Sequence, residues 1–313
     1  MTRIALSTRL APAVETAWLG YLRHAMPDET IDCFHSLTPA QRADVDLAIV
    51  ANPDPSDLTQ LPRLVWVQSL WAGVERLVAE LGDFPRPIVR LVDPELARTM
   101  AEAALAWTYY LFRDMPLYAA QQRDREWVQH PYKRPDRTTV GVLGLGELGT
   151  AAAFHLRDAG FNVAGWSRQQ KDLSGVTCCS GDAGLNDLLA QSEILICLLP
   201  LTDRTRGLLN AERLRRLPKG ARIVNFARGP IIDNAALIAA LDSGHIRHAV
   251  LDVFEVEPLP AASPFWGHPS VTVLPHISAS TDPESAVMIV ADHIAAYRRD
   301  GTIPQAVDVA RGY

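Results

Sequence analysis

VGVLGLGELGTAAAFHLRDAGFNVAGWSRQQK, residues Val140 to Lys171, decides how the rest of the chain is read. Its apolar opening runs into Gly144, Gly146 and Gly149 in G-x-G-x-x-G spacing, then into an alanine-rich segment of helical character. In a strand–turn–helix unit the first glycine permits the tight turn and the second lets the backbone approach a pyrophosphate. The third lets helix and strand pack closely. The stretch therefore predicts a parallel α/β sheet with a dinucleotide at the glycine turn, contacted by Gly144, Gly146, Glu147, Leu148 and Gly149. About 20 residues on, an NAD site presents an Asp or Glu to the ribose 2′-hydroxyl. Here Trp166-Ser167-Arg168 stands in that place. A carboxylate would repel a 2′-phosphate. Ser167 instead offers a hydrogen-bond donor, Arg168 a partner for phosphate, and Lys171 a further positive charge. The reading favours NADP(H), with NAD(H) as the alternative.

Outward from this unit the pattern repeats. In the first hundred residues strands are expected at Arg3–Ser7, Thr30–Phe34, Leu47–Val50, Leu64–Ser69 and Pro87–Leu91, alternating with amphipathic stretches such as Val14–His24. Asp93 reads as an N-cap with Pro94 at the first helical position, opening a helix to about Arg113. After the loop His130–Arg137, strands are expected at Thr139–Leu143, Asn162–Trp166, Val176–Cys179, Ile194–Leu199, Ile223–Phe226, His248–Val253 and Val271–Leu274. Helices are expected at Glu147–Ala159, Leu185–Ala190, Ala211–Leu217, Ala235–Ser243 and Pro283–Arg299. Such alternation implies βαβ units. The fold class is α/β, two doubly wound parallel-sheet domains joined by two crossing helices.

With 313 residues, two domains can each bury a core. The 48% hydrophobic and 21% charged content is that of an ordinary globular protein. A formal charge of −6 with no basic block argues against nucleic-acid or anionic-membrane partners. Cys33, Cys178, Cys179 and Cys197 lack C-x-x-C spacing, so neither a disulfide framework nor a metal site is expected. Adjacent Cys178-Cys179 reads as two small strand residues, with a redox pair as the alternative. MTRIALSTRL carries charges on both sides of a short apolar run, unlike a signal peptide. The expectation is a cytoplasmic protein.

Three consecutive strands each lead into an unusual polar residue: Arg228 in NFARGPIID, Glu257 in LDVFEVEPLP and His276 in LPHISAS. In open parallel sheets ligands bind outside the carboxyl ends of the strands. Singly, each residue could be a cap, a solvated turn or a core histidine. Together beside a dinucleotide turn they suit reduction of a 2-oxo acid. Arg228 can hold the carboxylate and carbonyl by charge-assisted contacts. His276 can donate a proton to the carbonyl oxygen, and Glu257 can favour the charged imidazole. Glu255 is the nearest competitor for the carboxylate role.

With these residues in place, the chain resembles the D-isomer-specific 2-hydroxyacid dehydrogenase family, and most closely its glyoxylate/hydroxypyruvate reductase A branch. The carriers are SLWAGVERL (Ser69–Leu77), VLGLGELG (Val142–Gly149), GWSR (Gly165–Arg168), NFARGPIID (Asn225–Asp233), LDVFEVEPLP (Leu251–Pro260), SPFWGHPSVTVLPHISA (Ser263–Ala279) and ARGY (Ala310–Tyr313). The resemblance implies a Rossmann cofactor domain, 100–284, inserted into a flavodoxin-like substrate-binding domain, 1–99 completed by 285–313. It places Arg228, Glu257 and His276 in the catalytic positions, and Asp252 near the nicotinamide carboxamide. Leu199, Pro200, Thr205, Ala227 and Ser278 complete the cofactor contacts. Trp71, Ala72, Gly73 and Val74 form a loop that holds the substrate carboxylate, with Arg228 and His276 also on the substrate. The family's glutamate directly precedes a proline, which favours Glu257 over Glu255. Glyoxylate and hydroxypyruvate are the implied substrates; pyruvate, 2-oxobutyrate or another small 2-oxo acid stay open. Family members commonly dimerise through the region of the long helix that carries Met100 and Glu102, so a homodimer is expected. Asn52-Pro53 lacks the aromatic that related reductases often place near this point, which leaves pocket size open. Two other classes share parts of the pattern: nucleotide-sensing corepressors of the same fold, and methyltransferases with a glycine-rich turn, in which Gly149 and the Arg/Glu/His set would have no role.

Overall fold

The alternating pattern folds into two sheets whose strand pairs are all parallel. The computed structural model describes residues 2–308, and the ARGY segment lies outside the described residues. One compact unit comprises Met1–Glu95 with Thr281–Tyr313, the other Leu96–Ser280.

In the first unit β1 (Arg3–Thr8), β2 (Thr30–Cys33), β3 (Val45–Ala51), β4 (Trp66–Ser69) and β5 (Ile88–Val89) take the order β2-β1-β3-β4-β5. This is the flavodoxin-like order. All seven residues of β3 are buried, as expected of a strand covered on both faces. The helix Pro283–Asp300 packs Ala286, Val287, Val290 and Ile294 against Ile4, Leu6, Ile49 and Trp66. This helix lies wholly within the first unit.

In the second unit β6 (Thr139–Leu143), β7 (Asn162–Trp166), β8 (Thr177–Cys179), β9 (Ile194–Cys197), β10 (Ala221–Asn225), β11 (Ile246–Leu251) and β12 (Val271–Val273) take the order β12-β11-β10-β9-β6-β7-β8. The order reverses between β6 and β9. That is the topological switch point, where a doubly wound sheet opens a crevice at its carboxyl edge. The helix Pro94–Phe112 buries Met100, Ala101, Ala104 and Leu111 against Val140, Val142, Ile196 and Val224.

Several expected bounds shift for local reasons. β9 stops at Cys197, because Leu198 N–H makes its bond to Leu143 O (2.8 Å) just where β6 turns away. The helix expected from Leu185 begins at Gly181. The helices Glu75–Leu81 and Met115–Asp124 were not expected; the second starts directly after Asp114, whose left-handed backbone (φ 52°) separates it from the helix before. Asp93 caps as expected, its Oδ1 accepting from Glu95 N–H at 2.8 Å. Among the described residues all four cysteines are free thiols, and no helix is long and apolar enough to cross a membrane.

Candidate active site

The ladders β10–β11 and β11–β12 pair Asn225 with Leu251 and Leu251 with Val273. Three neighbouring strands therefore end level, and the loops bearing Arg228, Glu257 and His276 leave the sheet from one edge. His276 Nδ1 lies 2.8 Å from Glu257 Oε2, and Glu257 Oε1 accepts from Phe254 N–H at 2.8 Å. Both carboxylate oxygens are thus committed, one fixing the loop and the other the ring. The exposed Glu255 is not the imidazole's partner. With Nδ1 taken, Nε2 is the ring nitrogen left for chemistry.

His276 has a left-handed backbone, φ 56°, a region that non-glycine residues seldom enter. The buried carboxylate of Asp252 accounts for it. Its Oδ1 accepts from Ile277 N–H (2.8 Å) and its Oδ2 from Ser278 N–H (2.9 Å), so the chain just past His276 is held from below. Asp252 therefore acts through the His276 loop.

Arg228 sits on a turn braced by two residues that the sequence reading passed over. Buried Asn225 accepts from Ala227 N–H and donates to Arg228 O, each at 3.2 Å. Gly229 packs so tightly on the 254–255 backbone that an added Cβ would lie 2.1 Å from Phe254 C. The NFARG pattern itself was the signal for both. It brings the arginine turn against the loop that leads to Glu257.

The electrostatics follow from this packing. The hydrogen bond to Glu257 raises the His276 pKa above its ordinary value, against partial burial; the charges of Glu257 and Asp252 add to the rise and Arg228 opposes it. For Glu257, burial works to raise the pKa. The bonds from His276 and Phe254 N–H, with the charges of His276 and Arg228, outweigh it and hold the carboxyl below its ordinary value. Both shifts act in the same sense, favouring imidazolium beside carboxylate, the form in which the ring can donate a proton.

The glycine turn fits a dinucleotide. Gly144 has φ 102°, and a Cβ there would sit 2.7 Å from Leu198 O; a Cβ on Gly149 would sit 1.6 Å from Gly144 O. Of the three, Gly146 alone leaves an added Cβ with nothing within 4 Å, and it and Glu147 are exposed. Leu148 is half-buried. Ser278 supplies a second sign: its Oγ is buried without a hydrogen-bond partner. An orphaned hydroxyl beside the His276 loop fits a polar ligand group that the protein alone does not provide. Among the described residues no cluster of three His, Cys, Asp or Glu is placed to hold a metal ion.

Other expected contact residues have local roles. Thr205 Oγ1 donates to Pro200 O and accepts from Thr202 N–H, both at 2.7 Å, so it shapes the loop after β9. Leu199 and Ala227 are buried, their backbones at the sheet edge. Beyond β7, Ser167 Oγ donates to Gln169 O (2.7 Å), leaving its lone pairs rather than its proton for a ligand; Arg168 and Lys171 are exposed. In the first unit Trp71, Ala72, Gly73 and Val74 follow β4, with Val74 buried and the others half-exposed. Trp71 stacks edge-on against Trp18 at 5.7 Å, and so belongs partly to that unit's core.

The family model for the D-isomer specific 2-hydroxyacid dehydrogenase NAD binding domain matches residues 105–278. The chain belongs to the D-isomer specific 2-hydroxyacid dehydrogenase family. It is 40% identical to a family member from Xanthobacter autotrophicus Py2 whose structure is in complex with NADPH and MES; 100% of this chain and 99% of that one are covered, with a TM-score of 0.92. An NADPH-dependent glyoxylate/hydroxypyruvate reductase from Sinorhizobium meliloti, in complex with NADP and sulfate, is 31% identical over the full length of both chains, TM-score 0.91. A probable 2-hydroxyacid dehydrogenase from Rhizobium etli CFN 42, with NADP, HEPES and L(+)-tartaric acid, is 30% identical over 100% of this chain and 99% of that one, TM-score 0.91. As a member of this family the chain is an NAD(P)-dependent oxidoreductase.

Proposed function

We propose that the protein reduces small 2-oxo acids, glyoxylate and hydroxypyruvate foremost, to 2-hydroxy acids with NADPH. The observation that carries the reading is the His276–Glu257 pair beside the Arg228 turn, on a sheet where the residues after β7, up to Lys171, offer Ser167, Arg168 and Lys171 and no acid. The complexes of the three similar dehydrogenases with NADPH or NADP support it.

Gly144, Gly146, Glu147, Leu148 and Gly149 hold the pyrophosphate at the head of the helix Glu147–Asp158, where backbone N–H groups favour anions. Arg168 and Lys171 take the 2′-phosphate, and Ser167 Oγ joins them by turning its proton from Gln169 O to the phosphate; Leu199, Pro200, Thr205, Ala227, Asp252 and Ser278 flank the nicotinamide end. NADPH supplies the hydride when bound. Arg228 draws the substrate's carboxylate and carbonyl oxygen by charge-assisted hydrogen bonds. His276 donates its Nε2 proton to the carbonyl oxygen, and Glu257 stabilises the imidazolium beforehand. In the reverse direction neutral His276 accepts the hydroxyl proton. The Trp71–Val74 turn contributes backbone N–H groups to an anion, and its unit serves as the substrate-binding domain.

Steady-state kinetics on a panel of glyoxylate, hydroxypyruvate, pyruvate and 2-oxobutyrate, with NADPH and NADH side by side, tests the reading. Highest kcat/KM for glyoxylate or hydroxypyruvate with NADPH is expected. Preference for NADH with pyruvate or 2-oxobutyrate would give the alternative substrate and cofactor, and no turnover with either cofactor would overturn the proposal. Arg168→Ala is expected to raise KM for NADPH about 10- to 100-fold, the loss of a charge-assisted phosphate contact, and to change KM for NADH little.

The protein is further proposed to form a homodimer through the segment after the long helix. Met115, Tyr118, Trp127, Val128 and Tyr132 are exposed there, Trp127 at 95%. Clustered large apolar groups in water mark a surface that a partner covers.

A further inference from the structure

We propose that Gln170 is a positioning residue for cofactor selection, setting the shape of the loop that reads the 2′-phosphate. This rests on the NADP(H) reading above and adds the residue that makes the loop able to read.

The loop leaves β7 at Trp166, carries Ser167, Arg168 and Lys171, and would be an unsupported surface excursion on sequence alone. Three groups fasten it to β8 and the residues just after it. Ser167 N–H donates to Cys179 O at 3.1 Å, and the Trp166 indole N–H donates to Gly181 O at 2.9 Å. The third is the Gln170 carboxamide. Its Nε2 donates to Cys178 O (3.0 Å) and to Lys171 O (3.1 Å), while its Oε1 accepts from Ser180 Oγ (2.8 Å). One side chain thus ties the far end of the loop to both the edge strand β8 and the residue just before the next helix. Arg168 lies between the fastened points at 166–167 and 170, and Lys171 is held through its own carbonyl.

The chemistry explains why an amide is needed. The clamp requires two donated bonds to carbonyls and one accepted bond from a hydroxyl. Glutamine supplies both functions, and a carboxylate at this point would lose the donors and repel a phosphate. The clamp is solvent-exposed, so each bond contributes little to global stability. What it sets is the conformational freedom of two cationic side chains: a loop already held in place loses less entropy when it closes on a dianion.

Calorimetric titration of the full-length protein with 2′,5′-ADP and with 5′-AMP separates phosphate reading from adenosine binding. Gln170→Met, which keeps side-chain length and removes the hydrogen bonds, is expected to raise Kd for 2′,5′-ADP about five- to tenfold. Its Kd for 5′-AMP should stay within about twofold, and Tm should be unchanged. KM for NADPH should rise with kcat unaltered. Ser180→Ala should give a smaller effect of the same sign, and Ser180→Thr should restore wild-type binding. Gln170→Met weakening both nucleotides equally, or neither, would overturn the proposal. Arg168→Ala, run in parallel, distinguishes the two levels. If it does not weaken 2′,5′-ADP, the NADP(H) reading fails and this proposal with it. If it does and Gln170→Met does not, the clamp alone is wrong.

Discussion

At the scale of single residues, the site turns on how Glu257 divides its two oxygens. One fixes the loop through Phe254 N–H and the other raises the His276 pKa. Glu257→Gln removes the main cause of that rise, so the imidazole returns toward lower pKa. Reduction needs the protonated ring and is lost as pH rises through its pKa; in the variant this alkaline limb moves to lower pH. Oxidation needs the neutral ring, and its acidic limb moves the same way. Turnover near neutrality should fall about 100-fold, while Glu255→Gln should leave rate and profile near wild type. A variant at Glu255 with the larger effect would reverse the assignment. The choice between these glutamates was legible in the sequence only through the proline that follows Glu257. The left-handed backbone of His276 was not legible at all, because it depends on Asp252, 24 positions earlier, reaching two N–H groups across the sheet edge.

At the scale of elements, the glycine turn distinguishes fold from function within the six residues Gly144 to Gly149. Gly149→Ala drives a methyl into Gly144 O and should cost about 3 kcal/mol or more, read by denaturant unfolding. Gly146→Ala meets open space, so stability should change by less than about 0.5 kcal/mol. Dinucleotide affinity should nonetheless fall on the order of tenfold, about 1.4 kcal/mol. Equal stability losses in the two variants would contradict this division. Strand positions were readable because fully buried parallel strands are continuous apolar runs. Helix starts were less so. Gly181 and Asp114 take positive φ, and neither the four extra residues of the helix from Gly181 nor the separate helix Met115–Asp124 carries a strong apolar period.

At the scale of the molecule, the chain returns after residue 280 to finish the unit it began, placing the helix Pro283–Asp300 on the core of β1, β3 and β4. The exposed segment Met115–Tyr132 carries the proposal of a second copy. Trp127→Ala should weaken self-association about 30-fold or more, as removal of a buried tryptophan anchor does, measured by sedimentation equilibrium. A wild-type chain that stays monomeric throughout, or a variant that associates as tightly, would remove the proposal. The sequence by itself determined the sheet class, the dinucleotide turn and the cofactor reading, and it supplied Arg228, His276 and two competing glutamates as candidates, because each rests on local spacing and side-chain chemistry. Only the tertiary structure decided which carboxylate meets the imidazole, that Asp252 works through the His276 backbone, that Asn225 and Gly229 brace Arg228, and that Gln170 fastens the loop after β7. Those contacts join strands or loops set side by side by parallel crossovers, and the distance between such neighbours is fixed by packing rather than by position in the chain.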